Sequence, residues 1–81
     1  MVKILVIRFS SIGDIVLTTP VVRALARQIY GGAEIHYLTK EKFASILRPN
    51  PHISKVHTIQ RSTNEVIREL KDEGYDYIVD L

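Results

Sequence analysis

The chain has 81 residues, 46% of them hydrophobic and 25% charged, with a net charge of +2. That is the size of one small domain with an ordinary globular composition. Cysteine is absent, which excludes disulfides and thiolate-bound metal, and acids and bases are interleaved, so no basic arm marks a nucleic-acid binder.

No apolar run is long enough to cross a bilayer, and MVKILVIRFSSIGD has neither the apolar length nor the cleavage site of a signal peptide. A cytoplasmic location is expected. Lys3 to Arg8 reads as a strand, because ILVI is continuously apolar, as in a parallel strand covered on both faces. Phe9 to Gly13 is a loop, and Asp14 to Thr18 a short helical turn. Val22, Leu25, Ala26 and Ile29 recur at helical spacing, with Thr19 as N-cap and Pro20 at the first helical position. Gly31 and Gly32 stop this helix.

Glu34 to Thr39 reads as a second strand, and Thr39 is placed to cap a short helix carrying Phe43, Ile46 and Leu47, which RPNP ends. Lys55 to Ile59 is a third strand. Ser62 and Glu65 form a capping box before a helix that buries Val66, Ile67 and Leu70 and stops at Gly74, with Tyr75 packing back on the last turn. YDYIVDL is a fourth strand. The pattern predicts an α/β fold: a parallel β-α-β-α-β-α-β sheet with right-handed crossovers and helices on both faces. With the first strand central, the second and third lie on one side and the fourth becomes an edge.

RFSSIGD therefore leaves the sheet at the carboxyl end of a central strand, where open α/β sheets bind ligands. Gly13 lets a backbone approach closely, and the amides opening the turn at Ser11 can face an anion. Ser11 and Asp14 equally form an S-x-x-D capping box, and the local pattern alone favours plain capping. The glycine-rich dinucleotide fingerprint and the P-loop are absent. His36, His52 and His57 lack metal-ligand spacing and read as structural; no metal or cofactor is expected. Lys40, Lys42, Arg48 and Lys55 read as a solvated face.

KILVIRFSSIGDIVLTTPVVRAL resembles the N-terminus of the ADP-heptose:lipopolysaccharide heptosyltransferases, a bacterial family of inverting glycosyltransferases. The resemblance continues through GGAEIHYLTKEKFASIL, NPHISKVHTI and YDYIVDL, and its specific part is S-S-x-G-D-x-x-x-x-x-P behind the first strand. It implies that residues 1–81 are part of the N-terminal, acceptor-binding Rossmann-like domain of a GT-B glycosyltransferase, with the donor-binding domain outside the chain. It further implies that Asp14 is the catalytic base and that Ser10, Ser11, Gly13 and Arg8 face the acceptor. The implied acceptor is the lipopolysaccharide inner core on lipid A. The implied donor is ADP-heptose, held by the missing half, so the chain alone would be inactive. Peripheral contact with the inner face of the bacterial inner membrane accords with such an acceptor.

The alternative is a free-standing flavodoxin-like binding module without transfer chemistry. Receiver-like chemistry is disfavoured, since RFSSIGD lacks an acidic cluster and Asp80 alone does not supply one. The apolar composition of the fourth strand, with no helix after it, leads to the expectation that the chain self-associates through Tyr77 to Leu81 or a bare sheet face.

Overall fold

The computed structural model describes all 81 residues. In chain order the elements are β1 (Val2–Ile7), α1 (Ile12–Leu17), α2 (Thr19–Gln28), β2 (Ala33–Lys40), α3 (Ala44–Leu47), β3 (Lys55–Ile59), α4 (Ile67–Glu73) and β4 (Tyr77–Asp80). Short 3-10 turns at Glu41–Phe43 and Thr63–Glu65 lead into α3 and α4. All pairings are parallel and the sheet order is β3-β2-β1-β4, which is the order expected from the crossover rules.

The alternation of side chains sorts the apolar residues into two layers. Ile4 and Val6 of β1 and Ile35 and Tyr37 of β2 meet Ile15, Val22, Leu47 and Ile53 on one face. Leu5, Leu38 and Ile59 meet Val66 on the other, with Leu70 and Tyr75 packed alongside. Both faces of β1 and β2 are thus covered, which is why their sequences are apolar without a period of two. Each fully buried Ile, Leu or Val stabilises the fold by about 1.5–3 kcal/mol relative to exposure.

Several local expectations are corrected. The N-cap of α2 is Thr18, and Pro20 is its second residue, because α1 and α2 run almost continuously through Thr18 in a helical conformation. β2 extends to Lys40, which takes the N-cap position assigned to Thr39. Thr39 instead points into the core, with its hydroxyl unpartnered. Ile67 is exposed, because Thr63–Glu65 winds as a 3-10 turn and puts Val66 rather than Ile67 against the sheet. The Ser62–Glu65 capping box forms as expected, and Gly74 ends α4 in the left-handed conformation at φ 66°.

Thr18 also fixes α1 on the sheet. Its hydroxyl donates to the Ile15 carbonyl at 2.6 Å, so the Tyr37 phenol must donate to Thr18 Oγ1 at 2.8 Å. Burial raises the Tyr37 pKa and keeps this phenol protonated.

A second polar layer pins α4. His36 Nε2 donates to Glu34 at 2.7 Å, so in the neutral ring Nδ1 accepts from Tyr75 Oη at 2.7 Å. Tyr75 Oη then accepts from His57 Nε2 at 2.8 Å, leaving His57 Nδ1 facing Glu69 at 3.6 Å. Tyr75 thus also reaches the two histidines through its hydroxyl. Glu73 completes the layer, 3.0 Å from Lys55 Nζ and 3.1 Å from Lys3 Nζ. The hydrogen bonds from Lys55 and Lys3 bring its pKa down to about 2. The His57 pKa is lowered by burial and then by the charges of Lys55 and His36, against Glu73 and Glu69.

Two predictions follow from these layers. Tyr37→Phe removes one hydrogen bond while Thr18 keeps its carbonyl partner, and should cost about 1 kcal/mol. Thr18→Val strands the buried phenol and should cost more, about 1–3 kcal/mol by the same reasoning. Equal costs in urea denaturation would show that the phenol does not depend on Thr18. The second concerns pH. The folded state resists protonating His57, so stability falls as pH drops below the unfolded value of 6.5. Glu73 contributes stability above 4.5 that is lost as pH falls toward about 2. Urea midpoints against pH should show the upper slope reduced in His57→Gln and the lower slope reduced in Glu73→Gln; unchanged slopes would contradict the assignment.

Candidate active site

β1 delivers the chain to the carboxyl end of the sheet, and the Arg8 N–H extends the ladder by donating to the Leu38 carbonyl at 3.2 Å. Phe9 turns back against the α4-side apolar layer. Ser11 then caps α1 in an extended conformation, its carbonyl accepting from the Ile15 N–H at 2.9 Å. One turn into α1, Asp14 reaches back to the loop.

The Asp14 carboxylate is held on one side only. Its Oδ2 accepts from the Ser11 N–H at 3.2 Å and the Ser11 hydroxyl at 3.1 Å, and lies 3.0 Å from Arg8 Nη2. Oδ1 has no protein partner, and the side chain is half exposed. The Ser11 N–H, the Ser11 hydroxyl and then Arg8 lower the Asp14 pKa, so this carboxylate is ionised at neutral pH.

Arg8, Ser11 and Asp14 therefore form one cluster. Ser10 lies beside it, exposed, its carbonyl accepting from Arg8 Nε. Gly13 is exposed on α1, and a Cβ built there would meet nothing within 4 Å. Its backbone does not require glycine, and the space over it is open. Ile12, Val16 and Leu17 are exposed on the same short helix.

Sequence reasoning missed Asp80 as a neighbour of this loop. A cavity of about 220 Å³ between the ends of β1 and β4 is lined by Arg8, Phe9, Ser10, Asp80 and Leu81. The signal was available: once β4 pairs with β1, Asp80 stands opposite Ile7 and ends its strand beside the loop.

At the opposite end of the sheet, ligand atoms of His36, His57 and Glu73 lie within 4.8 Å of one another. Tyr75 Oη is hydrogen-bonded between the two rings, and two ammonium groups sit on the carboxylate. Positive charge on the one anionic ligand opposes a divalent cation, so this cluster is a hydrogen-bonded support for α4.

No family model matches the chain. It is similar to lipopolysaccharide heptosyltransferase 1 of Campylobacter coli, 29% identical over 98% of this chain and 25% of that protein. Its fold matches the crystal structure of a family 9 glycosyl transferase from Veillonella parvula with a TM-score of 0.85 and 28% identity, covering 98% of this chain and 25% of that one. It also matches E. coli heptosyltransferase WaaC, solved with ADP, with a TM-score of 0.73 over 96% of this chain and 27% of that one; at 22% identity this is a likeness of fold. The chain spans about a quarter of the length of these relatives. The resemblance read from the sequence is thus borne out: the chain is similar in sequence to a heptosyltransferase and in fold to a family 9 glycosyl transferase.

Proposed function

We propose that this chain is the N-terminal, acceptor-binding part of a glycosyltransferase that moves heptose from ADP-heptose to the inner core of lipopolysaccharide, with Asp14 as the base. The observation that supports it best is the divided carboxylate: Oδ2 anchored, Oδ1 open at the carboxyl end of the central strand. Asp14 Oδ1 takes the proton of an acceptor hydroxyl as that oxygen attacks the anomeric carbon. The bond from that carbon to the β-phosphate oxygen breaks, and ADP leaves with the electron pair, inverting the centre. A nucleoside diphosphate is a stable leaving anion, so one carboxylate suffices where inverting glycosidases need two.

In this reading the free Ser10 hydroxyl and the open space over Gly13 receive the acceptor, while Ser11 and Arg8 hold the base. The donor binds through a domain outside these 81 residues. An anionic membrane surface suits the α2–α3 side of the molecule. Arg23, Arg27 and Arg48 are exposed there, and residues 15–33 and 42–64 carry no acid at all. The chain by itself self-associates through β4, an edge strand whose Tyr77 and Ile78 are each 63% exposed.

In a transferase carrying this segment, Asp14→Asn keeps the side-chain shape and removes the proton acceptor. Turnover should fall by about a hundredfold or more, with acceptor affinity little changed. Near-normal turnover in the purified variant would return Asp14 to plain capping. For the 81-residue chain, sedimentation velocity over a wide concentration range should show reversible association, weakened by Ile78→Lys on the exposed edge. A stable monomer at high concentration would rule the β4 contact out.

A further inference from the structure

We propose that Arg8 is a positioning residue for the candidate base: its guanidinium locks Asp14 Oδ2 to the end of β1, so that Oδ1 alone is presented to the acceptor. The proposal rests on the reading of Asp14 as the base and names the side chain that determines how that base is offered.

Arg8 is fixed from every direction. Its Nε donates to the Ser10 carbonyl and its Nη1 to Leu81 O, while Nη2 lies 3.0 Å from Asp14 Oδ2. Its backbone N–H donates to Leu38. The side chain thus bridges the ends of β1 and β4 and the loop between β1 and α1. A planar guanidinium held at two other nitrogens cannot follow Asp14 if the carboxylate rotates. Two hydrogen bonds from Ser11 and the ion pair with Arg8 meet on Oδ2, and none on Oδ1. Rotation of the carboxylate would break all three contacts at once, so the lock selects one oxygen for proton transfer.

The alternative, a surface ion pair of little consequence, explains less. With the two side chains 31% and 50% exposed, the pair adds little to stability. Its geometry is nevertheless specific, because every nitrogen of the guanidinium is engaged. An acceptor group seeking Arg8 would have to displace Asp14. The charged and titratable groups around Asp14 are Arg8 just after β1, Asp80 on β4, which lines the cavity with Arg8, and, in the 81-residue chain, the Leu81 α-carboxylate that accepts from Arg8 Nη1; the Tyr37 phenol is buried on β2.

The 81-residue chain allows a direct test. The carbon signal of the Asp14 carboxyl is followed by NMR through an acid titration in wild type, Arg8→Gln and Arg8→Lys. Arg8→Gln should raise the Asp14 midpoint, and Arg8→Lys, which keeps the charge without the fork, should raise it less. An unmoved midpoint in folded Arg8→Gln overturns the proposal. If that variant does not fold, wild type in about 1 M salt replaces it: screening of the exposed pair must raise the midpoint, and no movement overturns the proposal equally. In the full transferase, Arg8→Gln should lower kcat by about ten- to a hundredfold at unchanged donor KM, shift the acid limb of the rate profile upward, and be partly rescued by Arg8→Lys. Asp14→Asn is assayed alongside. An inactive Asp14→Asn with normal Arg8→Gln sinks the lock alone. An active Asp14→Asn sinks the base reading, while the titration still decides the Arg8–Asp14 pairing.

Discussion

The enclosure of β1 is the constraint on which the rest depends. Its backbone is paired with β2 on one side and β4 on the other, and its side chains enter two separate apolar layers. A strand closed on all four sides can carry a charged side chain without internal partners only at its ends. Polarity therefore appears abruptly after Ile7, and it appears where the parallel order gathers the carboxyl ends of the strands. Arg8 and Asp80 come from neighbouring strands, Ser11 and Asp14 from the first helical turn. The right-handed crossovers that place β4 beside β1 also bring Asp80 and Leu81 to Arg8, which no local feature of the sequence would do.

The other end of the sheet obeys the same constraint with a different outcome. His36 and His57 sit on neighbouring strands, on the face that α4 must cover. Two buried rings there need partners, and the turn at Gly74 sends Tyr75 under the helix to supply both. Glu73, one residue before the turn, collects Lys3 and Lys55. In this cluster both His36 nitrogens, His57 Nε2, the Tyr75 phenol and both Glu73 oxygens are partnered internally, whereas the Asp14 cluster leaves one carboxylate oxygen and the Ser10 hydroxyl open. That difference in completeness, more than any difference in residue type, separates a support from a candidate site.

What could be read from the sequence follows the range of the interaction involved. The strand ILVI, the Lys55 to Ile59 strand, the Ser62–Glu65 capping box and the stop at Gly74 each rest on contacts within a few residues, and each is found where the pattern placed it. The sheet order follows from handedness once four strands are granted. Thr39 does not cap because β2 runs on to Lys40: a β-branched hydroxyl residue suits a strand as well as a cap, and only the extent of β2 decides between them. The histidine–tyrosine layer depends on pairs such as His36 with Tyr75, 39 positions apart, for which no spacing rule exists. At the site itself Ser11 and Asp14 were legible through their spacing of three. The Arg8 contact to Leu81 spans 73 positions and was not.

On the reading of Asp14 as a base, its hydrogen bonds impose a trade. Donors on Oδ2 keep the carboxylate ionised and also weaken it as a proton acceptor. The trade is tolerable because the hydroxyl becomes acidic only as its oxygen bonds to the anomeric carbon. The base must then be charged and adjacent rather than intrinsically strong. Covering the site shifts the balance further. Asp14 is half exposed in the free chain, and Ile12, Val16 and Leu17 stand on the same six-residue helix. An acceptor seated against them would strip water from Oδ1 and raise its proton affinity at the moment of transfer, while Ser11 and Arg8 hold the geometry. The open apolar surface of α1 and the anchored oxygen beside it then act together: one tunes the carboxylate on binding, the other keeps it from turning away.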